Sequence, residues 1–275
     1  MIIKQFNLAG RVAIITGGAG FLADQHINVI LQNGGKVVLI DIDKKKLELK
    51  KKNLTKNFSE KNFLIFEADI TNEEQIRKIL KDLQLKNYNI DILINNAAID
   101  YSLNSELDKF ADNTRLEKFN IEIWKRDLNV GLLGSLICTK IFGSEMAKRK
   151  KGVILNIASD LAFISPDNRI YNKNPNKIKF VKPASYSVVK HGIIGLTRYT
   201  ATYWANKNVR CNAIAPGGII NNQSKSFLKK ISQLIPLGRL AYKNEYEASI
   251  LYLISDASSY MNGAVLTIDG GRTIL

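Results

Sequence analysis

The strongest constraint on the fold is a regular alternation between short apolar runs and longer segments whose apolar residues have helical spacing. Seven runs are typical of buried strands: RVAIIT, KVVLID, NFLIFEADI, IDILINNAA, GVILNIAS, VRCNAIAPGG and AVLTIDGG. Repeated strand–helix alternation favours a parallel sheet covered on both faces, and right-handed crossovers make it doubly wound. The sequence therefore predicts an α/β fold of about seven parallel strands in three α/β/α layers.

Length and composition favour one domain over residues 1–275, because no Pro/Gly/Ser-rich linker or internal repeat divides the chain. No apolar run reaches bilayer length and no signal peptide precedes the first strand, so we expect a cytoplasmic protein without a membrane partner. Cys138 and Cys211 lie in apolar segments and are expected to be buried free thiols. No Cys/His cluster indicates a metal site, and His26 and His191 are interpreted as packed helix residues.

The net charge of +15 raises the alternative of a nucleic-acid partner. The lysines are dispersed along the chain, however, in runs such as KKKLELKKKN and EMAKRKKG. Such runs are typical of solvated helix faces, so we expect no nucleic acid. Part of the charge can still steer an anionic substrate.

A glycine-rich turn, TGGAGFLAD at residues 16–24, joins the first strand to a helix that stops at Gly34-Gly35. Read from Gly18, it fits G-x-G-x-x-A, and Gly18 and Gly20 are expected to let backbone N–H groups approach a pyrophosphate. The alternative is an ordinary turn. Asp41 ends the next strand about 20 residues later, where a carboxylate binds ribose hydroxyls and repels a 2′-phosphate. The sequence therefore predicts NAD rather than NADP.

The run YSVVK places Tyr186 and Lys190 four residues apart, on one face of a helix. A free tyrosine has a pKa of about 10 and is a poor base at neutral pH. A neighbouring ammonium favours the phenolate, which can exchange a proton with an alcohol or a carbonyl oxygen.

The runs TGGAGFLA, NNAA, LNVGLLG, NIAS, YSVVK, APGG and DGG occur in this order. Together they resemble the short-chain dehydrogenase/reductase family in its compact single-domain form, over residues 8–272. The resemblance implies that Tyr186 is the catalytic acid/base and that Lys190 binds the nicotinamide ribose and lowers the tyrosine pKa. It also implies that Ser159 positions the substrate oxygen and that Asn129 holds a water of the proton relay.

The same resemblance extends the expected cofactor site to the ends of further strands. Asp69 and Ile70 match the adenine contact, Asn96 and Ala97 the adenosine side, and the segment after the sixth strand the nicotinamide amide. The predicted cofactor-binding residues are Gly17, Gly18, Gly20, Phe21, Leu22, Asp41, Ile42, Asp69, Ile70, Asn96, Ala97, Ala98, Tyr186, Lys190, Pro216, Gly217 and Ile219.

Three features depart from the compact family pattern. The glycine loop has the spacing of the family's extended branch, and PGGIINNQS lacks the threonine that usually follows PG. Two segments, at about 99–123 and 163–183, are lengthened and are expected to border the substrate cleft. The second is basic, and a phosphate could be met there by Arg169, Lys173, Lys177, Lys179 and Lys182.

The C-terminal half, including KPASYSVVKHGIIGLTRYTATYWA and SDASSYMNGAVLTIDGGR, resembles bacterial oxidoreductases of flagellin modification. Those proteins are associated with nonulosonic sugar pathways, which implies a sugar or a sugar phosphate as the small-molecule substrate. A polyol, a sugar acid or a 3-oxoacyl group remains an alternative substrate. A non-catalytic nucleotide- or RNA-binding protein on the same fold is the alternative from another class.

Two helical segments, 119–150 and 184–206, carry apolar stripes that are broader than one sheet-facing side requires. Together with the resemblance, they predict a homo-oligomer, and a second interface at the last strand would make it a tetramer. The alternative is that the lengthened segments cover these faces within one subunit.

Overall fold

A computed structural model describes residues 4–99, 114–172 and 180–275 of the chain. Seven strands form one sheet in the order β3-β2-β1-β4-β5-β6-β7, and every neighbouring pair is parallel. The strands are β1 Val12–Thr16, β2 Lys36–Asp41, β3 Phe63–Glu67, β4 Ile90–Asn95, β5 Gly152–Ile157, β6 Val209–Pro216 and β7 Val265–Ile268. The predicted doubly wound sheet is confirmed.

The helices of the described residues are α1 Ala23–Gln32, α2 Lys44–Leu54, α3 Glu73–Leu85, α4 Ile121–Lys148, α5 Ala184–Tyr203, α6 Lys225–Ser232 and α7 Glu247–Ile254. Two stretches of α4 have π-helical hydrogen bonding, Asn129–Gly134 and Thr139–Gly143. By length and composition alone, α4 could cross a membrane. Its apolar residues Ile141 and Phe142 are buried against the sheet, as in the core helix of a globular protein.

The sheet is covered on both faces because alternate residues of each strand point in opposite directions. On β1, Ala13 and Ile15 join a core that α1 and α7 complete, whereas Val12 and Ile14 join the core under α3 and α4. The β-branched runs of the sequence are therefore explained by burial on both sides.

The two cysteines are free and buried in the described structure, as the sequence predicts. Burial raises the pKa of the Cys138 thiol to about 12 and also raises that of Cys211. The expectation for the histidines is only half correct. His26 is buried under the glycine loop, but His191 is exposed, with Nδ1 2.9 Å from the Ser187 carbonyl oxygen of its own helix.

The described part of the lengthened segment 163–183 packs as a unit against α6. Ile170 is buried together with Ile231 and Leu240, in a small core separate from those of the sheet. The Asn172 side chain donates to the Phe180 carbonyl and accepts from the Phe180 amide, at 2.8 and 2.9 Å. This pair of hydrogen bonds joins the two described stretches of the segment. Most of the other lengthened segment, 99–123, lies outside the described residues.

A buried histidine and an asparagine hold the glycine loop at the carboxyl end of β1. The Asn96 amide nitrogen donates to the carbonyls of Thr16 and Gly17, at 3.0 and 3.1 Å. His26 Nε2 lies 3.1 Å from Asn96 Oδ1. Burial lowers the pKa of His26 from 6.5 to about 4, so the ring is neutral at pH 7 and Nε2–H is the donor.

This buried histidine predicts a loss of stability in mild acid. Because the folded-state pKa of His26 lies below its unfolded value, the unfolded state takes up the extra proton between pH 6.5 and about 4. Over this window the free energy of unfolding should fall by roughly 3 kcal/mol more in the native protein than in His26→Gln. Urea titrations at several pH values measure the difference, with the exposed His191→Gln as control. Parallel pH profiles of native protein and His26→Gln would contradict the interpretation.

Candidate active site

A cavity of about 970 Å³ lies at the carboxyl ends of the strands, where parallel α/β sheets bind ligands. It receives residues from the ends of β1, β2, β4, β5 and β6, and from α4 and α5. The predicted site residues line this one cavity, with the exception of Gly18. Residues that are far apart in the sequence are therefore brought together as the motifs predict.

Gly18 faces the sheet instead of the cavity, and its own amide is bonded within the protein. Its N–H donates to the Ile40 carbonyl at 3.0 Å, and a Cβ there would lie 2.7 Å from Leu39 Cβ. The glycine allows the loop to pack closely on β2. The Gly20 amide is also engaged, by the Gly17 carbonyl at 2.9 Å.

The backbone amides of the loop that are left to bind an anion lie at the start of α1. Among the described residues, the backbone N–H groups of Phe21 and Leu22 have no hydrogen-bond partner. Leu22 is the N-cap of α1 and offers no capping side chain, so the helix begins with unsatisfied donors. Such a helix start binds phosphate groups. These donors and the size of the cavity fit a dinucleotide pyrophosphate.

The Asp41 carboxylate connects the end of β2 to the glycine loop. It accepts hydrogen bonds from the amides of Ala19 and Asp43, both at 3.0 Å. Because a carboxylate has about four acceptor positions, it can still accept bonds from ribose hydroxyls. Asp41 lines the cavity beside Ile42, which is 68% exposed and offers an apolar surface to an adenine ring.

Tyr186 lies in the first turn of α5, and the ammonium groups of two lysines lie near its ring. Lys190 Nζ is 5.6 Å from the ring centroid and donates to the Ile157 carbonyl at 2.8 Å. Lys182 Nζ is 4.0 Å from the same centroid. The end of β5 therefore fixes Lys190 next to the phenol. Of the five basic residues predicted to meet a phosphate, Lys182 is the one that lines the cavity within the described residues. Arg169 pairs with Asp167, and the remaining three, Lys173, Lys177 and Lys179, lie outside the described residues.

Ser159 follows β5 and is 5% exposed. Its hydroxyl donates to Asp160 Oδ1 at 2.8 Å and accepts from the Leu161 amide at 3.2 Å. Asn129 lines the same cavity and begins the first π-helical stretch of α4. Such stretches occur frequently at functional sites.

Buried polar contacts hold α4 and α5 in register below the cavity. The Ser185 hydroxyl donates to Asp127 Oδ2 at 2.5 Å. Ser185 directly precedes Tyr186, and Asp127 lies two positions before Asn129. On the sheet, the Asn156 amide donates to Thr197 of α5 at 2.8 Å, and Asn95 donates to Thr139 of α4 at 3.0 Å. No local sequence pattern marks Asp127 or Ser185, although each lies within two positions of a predicted catalytic residue.

Another part of the cavity wall is formed by residues of the segment 163–183, of α6 and of the turn after β7. Tyr171 and Phe227 lie with ring centroids 5.7 Å apart, backed by Ile231 and Leu240. Arg272, near the C-terminus, also reaches the cavity and pairs with Asp160 at 2.7 Å. These residues were missed because nothing in their local sequence marks them as part of a site.

Comparison with known proteins agrees with this arrangement. The family profile described as Enoyl-(Acyl carrier protein) reductase matches residues 23–273. The NAD-dependent glycerol dehydrogenase of Listeria innocua is 30% identical over 276 residues, which cover 98% of this chain and 97% of that protein. The post-translational flagellin modification protein A of Campylobacter coli is 26% identical and covers 96% of this chain and 98% of its own length.

Among solved structures, the short chain dehydrogenase of Leptospira borgpetersenii with bound NAD+ superposes with a TM-score of 0.83. It is 30% identical and covers 99% of this chain and 97% of its own. The relatives and this solved structure span nearly all of the sequence, and the profile spans every strand end of the cavity except that of β1. The chain therefore belongs to the short-chain dehydrogenase/reductase family and is an oxidoreductase that uses a nicotinamide dinucleotide.

Proposed function

We propose that the protein is a cytoplasmic, NAD(H)-dependent enzyme, with residues 1–275 as a single catalytic domain. It interconverts an alcohol and a carbonyl on a small polar substrate. The observation that carries this proposal is the position of Tyr186 in the strand-end cavity, near both Lys190 and Lys182 and together with Ser159.

The residues of the cavity divide the chemistry between them. A bound nicotinamide supplies or accepts the hydride. Tyr186 moves the proton to or from the substrate oxygen, because it carries a titratable hydroxyl in the cavity and two ammonium groups lie near its ring. Lys190, held by the Ile157 carbonyl, provides the positive charge that favours the phenolate. Ser159 orients the substrate oxygen, and Asn129 holds a water that connects the site to solvent.

The cofactor residues follow the same edge of the sheet. The amides of Phe21 and Leu22 meet the pyrophosphate, and Asp41 binds the hydroxyls of the adenosine ribose. Asp69, Ile70 and the segment 96–98 enclose the adenine side. Pro216, Gly217 and Ile219 approach the nicotinamide, and Gln223 donates to the Ile219 carbonyl at 2.7 Å, which fixes the segment that lacks the usual threonine.

The substrate that we favour is a sugar or a sugar phosphate in bacterial surface-glycan or flagellin-modification metabolism. The Tyr171 and Phe227 rings give the cavity an apolar wall, and Lys182 places a positive charge beside it. This combination suits a polar ring compound with an anionic group. The similarity to a flagellin modification protein supports the same class.

A polyol, a sugar acid or a 3-oxoacyl group is the alternative substrate, because the relatives include a glycerol dehydrogenase and the matching profile is named for an acyl-carrier-protein reductase. A panel of sugar phosphates, amino sugars, polyols and acyl thioesters, read by NADH absorbance, separates these classes. Turnover of acyl thioesters alone would overturn the sugar assignment.

We expect Tyr186→Phe to fold and to bind NAD with little change, but to lose nearly all turnover, because only the exchangeable proton is removed. Steady-state kinetics and cofactor titration measure the two effects separately. Tyr199→Phe, which removes a hydroxyl from an exposed tyrosine of the same helix, is the control. Activity of Tyr186→Phe within about tenfold of the native enzyme, equivalent to ~1.4 kcal/mol of barrier, would show that Tyr186 is not the acid/base.

We expect NAD to bind more tightly than NADP, because the Asp41 carboxylate repels a 2′-phosphate. Asp41→Asn keeps the side-chain shape and should reduce the preference at least about tenfold, since like charges about 4 Å apart repel by ~4 kcal/mol at intermediate dielectric. Glu67→Gln, which removes a carboxylate at the end of the adjacent strand β3, should leave the preference unchanged. Tighter binding of NADP to the native protein would refute the assignment of Asp41.

The exposed apolar faces of α4 and α5 support a homotetramer. Leu136 is 48% exposed, and Tyr199 and Tyr203 stack on the surface with 66% and 62% of their area exposed. We expect Leu136→Glu combined with Tyr199→Asp to reduce the assembly to a smaller species. Light scattering at micromolar concentration measures the mass, and Leu85→Asp, at an exposed leucine of α3, is the control. A monomeric mass for the native protein would contradict the interface.

A further inference from the structure

A buried ion pair forms part of the wall of the active-site cavity. Arg272 Nη1 lies 2.7 Å from Asp160 Oδ2, and the two side chains are only 7% and 4% exposed. Asp160 directly follows Ser159 after β5, whereas Arg272 lies beyond β7, 112 positions later in the chain. The pair thus joins the C-terminal turn to the predicted catalytic serine.

The second carboxylate oxygen of Asp160 is directed at the serine. Asp160 Oδ1 accepts the Ser159 hydroxyl proton at 2.8 Å and the Leu161 amide proton at 2.8 Å. A serine hydroxyl has one proton to donate. While that proton is directed at Asp160, the hydroxyl can only accept a hydrogen bond from the substrate, and it must rotate to donate one.

The C-terminal turn is built to present Arg272. Gly270 and Gly271 have φ values of +68° and +89°, a conformation that favours glycine. The Asp269 carboxylate accepts hydrogen bonds from the amides of Gly271 and Thr273, at 2.9 and 2.7 Å. The turn is therefore closed on itself, and the guanidinium reaches Asp160 from a fixed backbone.

We propose that Asp160 and Arg272 are positioning residues for Ser159, and that they set the direction of its hydroxyl proton. Asp160 accepts the hydroxyl proton and so fixes the hydroxyl oxygen at the cavity wall. Arg272 compensates the Asp160 charge, so that a substrate oxygen can compete with the carboxylate for the serine proton. If Arg272 is removed, the buried Asp160 carboxylate loses its counter-charge and should accept the Ser159 hydroxyl proton more strongly. The inference rests on the role proposed for Ser159.

A double-mutant cycle between Ser159 and Arg272 tests the proposal. Arg272→Gln should lower kcat by about 10- to 100-fold, the range typical of a residue that supports a catalytic group, while the dissociation constant of NAD changes less than threefold. In the Ser159→Ala background the same substitution should lower kcat by less than twofold, because the group that it orients is gone. Arg272→Lys, which keeps the charge, should recover part of kcat.

A purely structural ion pair gives a different pattern. Arg11, another largely buried arginine, pairs with Asp256 away from the cavity. Arg11→Gln should therefore lower the free energy of unfolding while kcat stays unchanged. Additive losses of kcat in the Ser159/Arg272 cycle would overturn the positioning role and leave the proposed function intact. If Arg272→Gln does not fold, Asp160→Asn replaces it in the same cycle with the same expected coupling.

The role of Ser159 is tested by the same data. If Ser159→Ala alone keeps kcat within about threefold of native, there is no hydroxyl effect to position, and the inference is overturned together with the role of the serine. The assignment of Tyr186 does not depend on that result, since Tyr186→Phe reports on it separately.

Discussion

The site depends on one constraint, which is that all seven strands run in the same direction. Parallel strands end at a common edge, so each strand-to-helix turn of the described chain contributes to one cavity. The backbone groups at these ends must be satisfied. Thr16 Oγ1 accepts from the Asn96 and Ala97 amides, at 3.0 and 3.1 Å, and Asp41 accepts from Ala19. Side chains at the strand ends thereby decide which amides remain for a ligand.

This distribution explains how far the sequence could predict the site. The order of strands and helices follows from local patterns, and the strand-end rule then brings Asp41, Asn129, Ser159 and Tyr186 together. The motif G-A-G-F-L-A does not show which amides are already bonded within the protein. Gly18 carries the motif but faces Leu39, because the loop must lie close to β2. Only this packing shows that, among the described residues, the Gly18 and Gly20 amides are bonded while those of Phe21 and Leu22 are left without a partner.

Long-range pairs set the other limit. The contact of Asp160 with Arg272 joins segments that no local pattern relates. Ser185 and Asp127 are 58 positions apart and meet only because α4 and α5 pack side by side. His191 shows the converse. It lies on a predicted helix among apolar neighbours, yet its side of α5 is exposed. The prediction failed because helix periodicity alone does not say which side of a helix faces the sheet.

The net charge is a poor guide to the substrate, because most of it lies outside the cavity. The lysines of α2 are largely exposed and solvated, and several pair locally, as Lys46 does with Asp43 at 3.0 Å. Within the cavity, Lys125 pairs with Glu122 at 2.8 Å and Arg272 with Asp160. Lys182 also lines the cavity, with its ammonium 4.0 Å from the ring centroid of Tyr186. The positive charge outside the cavity therefore acts only by attracting anions over a distance, and selection among ligands depends on the few charged groups of the cavity wall.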